Sequence, residues 1–430
     1  MKAVVLVARG LQPGALGCYG NPWIDTPTLD GLAAEGIVFD RHFADAADPV
    51  GARRAWRSAR YHLPESAPNH EVNSPPDLLD ALRTQGIHTC LIVDGSQPLP
   101  DDFAAGWDVV QRVAAEGEAT PLETTLEATG AALLRLEQRD NWLLWLELST
   151  PLPPWNVPEE FQAPYFTDEP AEDEEEDGEG EEEEQASEPL TPLTELAGGP
   201  VDPDDDYLYL SIQTSYATAV TYLDAGIGLL LEALAGMEGG DEVLILVTTD
   251  VGQNLGEHDI VGPVRAWLHD EIIHLPLIVR LPGRGEAGRR VEALTQAVDL
   301  AATLADWFHA PLPDAHGHSL LPLIHGKMET IRPYACAGLQ VGGAIEYALL
   351  TPDWAFLLPQ QTSADDTART PRLYVKPDDR WEVNDVLQHH QEMAEQLEKS
   401  LREFVTAACQ PGPLRVPPLP ELRTTPDPTP

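Results

Sequence analysis

The residue type most able to do chemistry in this chain is a lone carboxylate at the end of an apolar run. Val243 to Val247 are uninterrupted hydrophobics, Thr248 and Thr249 turn polar, and Asp250 is followed closely by Gly252 and then by Leu255-Gly256-Glu257-His258. Such a run reads as a buried parallel strand, and ligand sites in open α/β sheets lie just beyond the carboxyl ends of such strands. Asp250 is therefore placed at the mouth of a site, with His258 close behind it. Cationic candidates come from elsewhere: Arg9 after the first apolar run, Arg53, Arg54, Arg57 and Arg60 in one short stretch, and Arg265. Arg9 suits a pairing with Asp250, the binding of an anion, or a solvated surface position. The cluster at 53–60 suits either an anion at a helix N-terminus or a set of surface arginines paired with carboxylates. The stretch from Ala46 to Trp56 contains no Cys, Ser or Thr. A covalent mechanism there would lack the oxygen or sulfur lone pair it needs.

The elements that must position these groups are legible from periodicity. Ala3 to Ala8 form a first core strand. Thr28 is placed as the cap of a short helix with Leu29, Leu32 and Ala33 inward, which Gly36 ends, and Ile37 to Phe39 are extended. A helix from Pro75 to Gly86 leads to a strand at Ile87–Val93, and a helix at Leu122–Arg139 leads to Trp142–Leu148. A long apolar helix over Tyr216–Leu234 precedes the Asp250 strand. This alternation predicts an α/β fold.

The chain has 430 residues, 43% of them hydrophobic, and a formal net charge of −46. It can bury a large core, and so acidic a surface excludes nucleic acid and anionic membranes as partners. Cys18, Cys90, Cys336 and Cys409 are scattered, without metal-ligand or disulfide-framework spacing. No export signal or run of membrane-spanning length is read, so the expected location is cytoplasmic. Residues 167–206, including Glu172 to Asp177 and Glu181 to Glu184, are expected to be a disordered acidic insertion, and residues 411–430 a disordered Pro-rich tail.

Several blocks fall in one register with a known pattern. Gly17-Cys18-Tyr19-Gly20, Thr26-Pro27-Thr28-Leu29-Asp30, Arg60-Tyr61, Gly106-Trp107-Asp108, Leu223-Asp224 with Gly228, Pro276-Leu277-Ile278 and Val298-Asp299-Leu300 resemble the sulfatase family of the alkaline-phosphatase-like superfamily. The resemblance implies a mixed, mostly parallel sheet flanked by helices on both faces over residues 1–328, and a smaller C-terminal α+β subdomain over 329–410. It also implies what is missing. The family's two first-strand aspartates, ligands for calcium or magnesium, fall on Arg9 and Gly10. Its nucleophile falls on Pro49, or on Val50 if the register is set by Arg54. The lysine and histidine that touch sulfate fall at Asp94 and Ser96, a histidine falls on Leu152, and the second metal partner of Asp250 falls on Val251. Arg53 or Arg54, His258 and Arg265, in the family's lysine position, remain.

With one acidic ligand left, no metal cofactor is expected. The leading expectation is an inactive pseudo-sulfatase that binds, scaffolds or regulates. In its sharper form Arg9, Arg53 or Arg54, and Arg265 converge to hold a small anion, and an unidentified protein is the other partner class. A second expectation is hydrolysis of sulfate or phosphate esters through His258, Asp250 and a water, and a third is a subunit that leans on an active paralogue.

Overall fold

The computed structural model describes residues 1–64, 77–115, 117–166, 189–360 and 370–419. Its strands are β1 (Lys2–Ala8), β2 (Ile37–Phe39), β3 (His88–Asp94), β4 (Val109–Val113), β5 (Trp142–Leu148), β6 (Val243–Thr248), β7 (Leu277–Arg280) and β8 (Arg289–Val291). Among the described residues these make one eight-stranded sheet in the order β8-β2-β7-β6-β1-β5-β3-β4. β1 lies centrally and runs parallel to both β5 and β6, and β7 runs antiparallel to β6 and β2. The sheet is thus mixed and mostly parallel. β1, β5 and β6 are buried almost throughout because both faces are covered, which is why they read as continuous apolar runs.

The longer helices are α1 (Pro27–Ala34), α2 (Pro49–Ser58), α3 (Leu78–Thr84), α4 (Pro121–Leu136), α5 (Asp206–Gly236), α6 (Asp299–Trp307) and α7 (Gln391–Ala408). Val5, Val7, Trp145, Leu244 and Leu246 point to one face, where they meet α2, α3 and α6 through Trp56, Leu82 and Leu304. Val4, Leu6, Leu144, Ile245 and Val247 point to the other, against α1, α4 and α5 through Leu32, Leu133 and Leu223. The strand alternation thereby builds two cores on one sheet.

A second sheet, β9 (Ala335–Val341), β10 (Ala344–Leu350), β11 (Trp354–Gln360) and β12 (Arg372–Val375), is antiparallel in that order. Helix α7 closes a third core against it through Leu397, Leu401 and Phe404. This smaller unit is stitched to the main one by backbone hydrogen bonds from Gly338 N to Asp45 O and from Ala47 N to Gly338 O, 3.0 and 3.1 Å long.

Several sequence expectations shift. The N-cap of α1 is Thr26, with Pro27 at the first helical position, rather than Thr28. Of the expected acidic insertion, residues 167–188 lie outside the described residues, but the segment after them packs. Leu193, Leu196 and Val201 lie on the second core, and Gly199–Pro200 pairs with Ile260–Val261. The Pro-rich tail is likewise held up to residue 419. Leu414, Val416 and Leu419 supply the apolar anchors, and Tyr334 donates its hydroxyl hydrogen to Pro417 O at 2.8 Å. Residues 420–430 lie outside the described residues. Helix α5, with 31 residues and mean hydropathy 1.4 in its most apolar window, does reach membrane-spanning length and composition, contrary to expectation. Half of that window is buried inside the fold, with Ile212, Tyr216, Val220, Leu223 and Ile227 in the second core.

Candidate functional site

The carboxyl ends of β5, β1 and β6 lie side by side, and α2 begins beside them. Each contributes one charged side chain: Glu147 from β5, Arg9 just after β1, Asp250 just after β6, and Arg53 from the second turn of α2. All four are buried, with exposures of 4, 6, 0 and 1%. Arg53 donates Nε and Nη2 to Glu147 Oε2 at 3.1 and 2.6 Å, and Nη1 to Asp250 Oδ2 at 3.1 Å and Pro49 O at 2.7 Å. Arg9 donates Nε to the same Asp250 Oδ2 at 2.9 Å, while Asp250 Oδ1 accepts from Val251 N at 3.0 Å. Trp145 Nε1 donates to Glu147 Oε1 at 3.3 Å. Two guanidinium groups therefore meet two carboxylates, and the buried charge cancels. Burial alone would raise the Asp250 carboxyl, but the charges of Arg9 and Arg53 outweigh it and hold that carboxyl below the usual aspartate range.

The start of α2 is built locally. Asp48 is the N-cap and accepts from Val50 N and Gly51 N, and Pro49 occupies the first helical position. A Cβ on Gly51 would lie 2.5 Å from Ala46 Cβ and 2.7 Å from Asp48 Oδ2, so the turn closes only with glycine there. On the other side of the cleft Gly10 sits at φ +77° with Leu152 above it, and a Cβ there would lie 2.5 Å from Leu152 Cδ2. Gln253 Nε2 donates to Gly10 O at 2.9 Å. Asp94 accepts from the Ser149 hydroxyl and from Ser96 N. Between Arg9, Asp94, Glu147 and Ser149 remains a cavity of about 10 Å³, the space of a single water. A second cavity of about 50 Å³ lies outside Leu152, lined by Ser96, Thr120, Ser149, Trp155 and Tyr222.

The family model for sulfatases matches residues 3–310. The chain belongs to the sulfatase family. An N-acetylglucosamine-6-O-sulfatase of Bacteroides thetaiotaomicron is 32% identical over 123 residues, which span 28% of this chain and only 22% of that protein. Iduronate 2-sulfatase of Homo sapiens is 24% identical over 402 residues, covering 79% of this chain and 70% of that one. A phosphonate monoester hydrolase of Agrobacterium radiobacter superposes with a TM-score of 0.70 over 95% of both chains at 20% identity, a likeness that speaks for the fold alone.

Arg9 and Asp250 are paired, and of Arg53 and Arg54 it is Arg53 that joins them. Arg54, one residue further round the helix, points outward and pairs with Asp102 at 2.9 Å, both side chains well exposed. The expected convergence of Arg9, Arg53 or Arg54, and Arg265 on an anion does not occur. Arg9 and Arg53 are spent on Asp250 and Glu147, and the Arg265 guanidinium stacks 3.5 Å over the Trp267 ring. Nor does His258 join Asp250. Its ring stacks on His269 with centroids 4.1 Å apart, its Nε2 lies 3.9 Å from Glu271 Oε1, and burial lowers its pKa to about 4. Val251 is half-buried against the first core.

Two features escaped the sequence reading. Glu147 was seen only as part of its strand, although a lone acid in Trp-Leu-Leu-Trp-Leu-Glu-Leu signals a buried partner. His269 Nδ1 lies 2.6 Å from Glu382 Oε2, both fully buried, and Lys376 Nζ lies 2.9 Å from Glu382 Oε1. This pair ties the loop after β6 to the C-terminal unit.

The family implies calcium or magnesium at Asp250. A hard cation of this kind takes about six to eight oxygen ligands, several of them anionic. Here Asp250 Oδ2 already accepts from two guanidinium groups, and no set of three His, Cys, Asp or Glu side chains suited to a metal occurs among the described residues. The side chains present do not fit such an ion.

Proposed function

We propose that this sulfatase-family protein is catalytically silent and acts by binding, scaffolding or regulation. The observation that carries the reading is Pro49. It is the first residue of α2, in one of the two registers that the resemblance gives for the family's nucleophile, and neither it nor Val50, the other, has an atom able to attack a sulfur or phosphorus centre. The closed, charge-balanced cleft supports the same reading, because an incoming sulfate would find Arg9 and Arg53 already paired and Leu152 over Gly10. Ester hydrolysis, the chemistry in the relatives' names, would need an acid–base pair at Asp250, whereas His258 is engaged elsewhere. With the arginines neutralised, the partner class favoured is a protein rather than a small anion, and the net charge of −46 favours a basic surface on it. The test is turnover of 4-nitrophenyl sulfate and 4-nitrophenyl phosphate by the purified chain, with and without calcium, magnesium or manganese. No rate above background is expected. Metal-dependent turnover abolished by Asp250→Ala would overturn the proposal.

A further inference from the structure

Two buried carboxylates at strand ends one strand apart repel each other and are costly to desolvate unless positive charge is brought to them. A divalent cation is one way to supply two positive charges; Arg9 and Arg53 supply the same number. We propose that the Arg9–Asp250–Arg53–Glu147 quartet takes over the structural task of a bound divalent cation, so that this fold assembles and holds without any metal ion.

The geometry favours arginine for that task. A guanidinium is planar with donors spread along its edges, and Arg53 uses three of its nitrogens on acceptors from two separate strand ends and its own helix: Glu147, Asp250 and Pro49 O. One side chain thus ties α2 to β5 and to the loop after β6, and Arg9 adds β1 through Asp250. The order β6-β1-β5 puts β1 between the two acids, so Arg9 enters at the midpoint. The adjoining cavity of about 10 Å³ leaves no room for a cation with its coordinated waters.

The proposal is separate from the absence of turnover, since an inactive protein can still need an ion to fold. Thermal unfolding of the purified full chain is measured in EDTA, in calcium chloride and in magnesium chloride, and bound metal is counted by elemental mass spectrometry after dialysis against each salt. A binding ion would raise Tm by mass action; the wild type is expected to keep its Tm within about 1 °C and to retain no stoichiometric ion. Arg9→Met, which leaves the acids short of one counter-charge, is expected to lower Tm by about 3–5 °C equally in EDTA and in calcium. A rise of about 3 °C or more in wild-type Tm with either ion, or one retained ion per chain, overturns the proposal. So does an Arg9→Met variant as stable as the wild type. If Arg9→Met fails to fold, the wild-type measurements still decide. Turnover assays are read separately, so activity without metal dependence would sink the silent-enzyme reading and leave this one standing.

Discussion

Asp224 and Asp250 are both buried aspartates in registers that the family shares, yet they are satisfied in opposite ways. Asp224, on α5, accepts from Thr28 N and Leu29 N at 2.9 and 2.8 Å, first-turn amides of α1 that have no acceptor within their own helix. Burial raises its pKa, and the two amide dipoles only partly offset the rise. Asp250 meets two whole charges, and they overcome a more complete burial. The difference lies in what supplies the compensation, backbone at Asp224 and side chains at Asp250. Backbone amides are supplied by any sequence that forms the helix, so Asp224 keeps its role without help. Asp250 depends on the side chains of Arg9 and Arg53.

The largest effect expected from breaking this contrast comes at Arg53. Arg53→Met strands Glu147 and half of Asp250, and urea unfolding should show a loss of about 3–5 kcal/mol. Asp224→Ala removes the carboxylate acceptor of two backbone N–H groups at a helix start, for about 2 kcal/mol by the same measurement.

The pH dependence of the two asparagine variants sharpens the comparison. Asp250 has a lowered folded pKa, so its contribution is present above the usual aspartate value and fades as pH falls. The wild-type advantage over Asp250→Asn should therefore shrink in acid. Asp224 has a raised folded pKa, so its contribution is full at low pH and fades as pH rises through that value. The wild-type advantage over Asp224→Asn should grow in acid. Curves of matching slope would show that both sites are dominated by the same force.

Asp45 is a third case, buried with neither oxygen hydrogen-bonded and pushed up to about 8 by burial. Its stabilising protonated form is lost as pH rises from the unfolded aspartate range through about 8. Asp45→Asn should flatten the decline in wild-type stability on the alkaline side, read by chemical unfolding at several pH values. The smallest effect is expected at Arg54→Ala, where an exposed pair with Asp102 is worth under about 0.5 kcal/mol.

Much of this was legible in the sequence. Strand and helix order follows from apolar periodicity, and the kept glycines and aspartates mark the architecture. Arg9 with Asp250 was one of three open readings for that arginine, beside anion binding and a solvated surface position. The rest depends on angles that a one-dimensional pattern does not carry. Arg53 and Arg54 differ by about 100° of helix rotation, and only packing decides which one is buried. Arg265 carries a lysine-like charge in the family register, but Trp267 offers its guanidinium a nearer surface. The tail was misjudged from its prolines because Leu414, Val416 and Leu419 find their apolar partners in a core assembled from distant parts of the chain.

The way α2 begins also bears on ancestry. Pro49 fixes the first turn, Asp48 caps it, and Gly51 is squeezed between Ala46 and Asp48. On the proposed function, a lineage placing an attacking group at position 49 would gain nothing while Arg9 and Arg53 held Asp250, and Arg9→Asp alone would set three acids against one guanidinium. On that reading each single step toward a reactive site is useless or damaging, and the arrangement behaves as a ratchet.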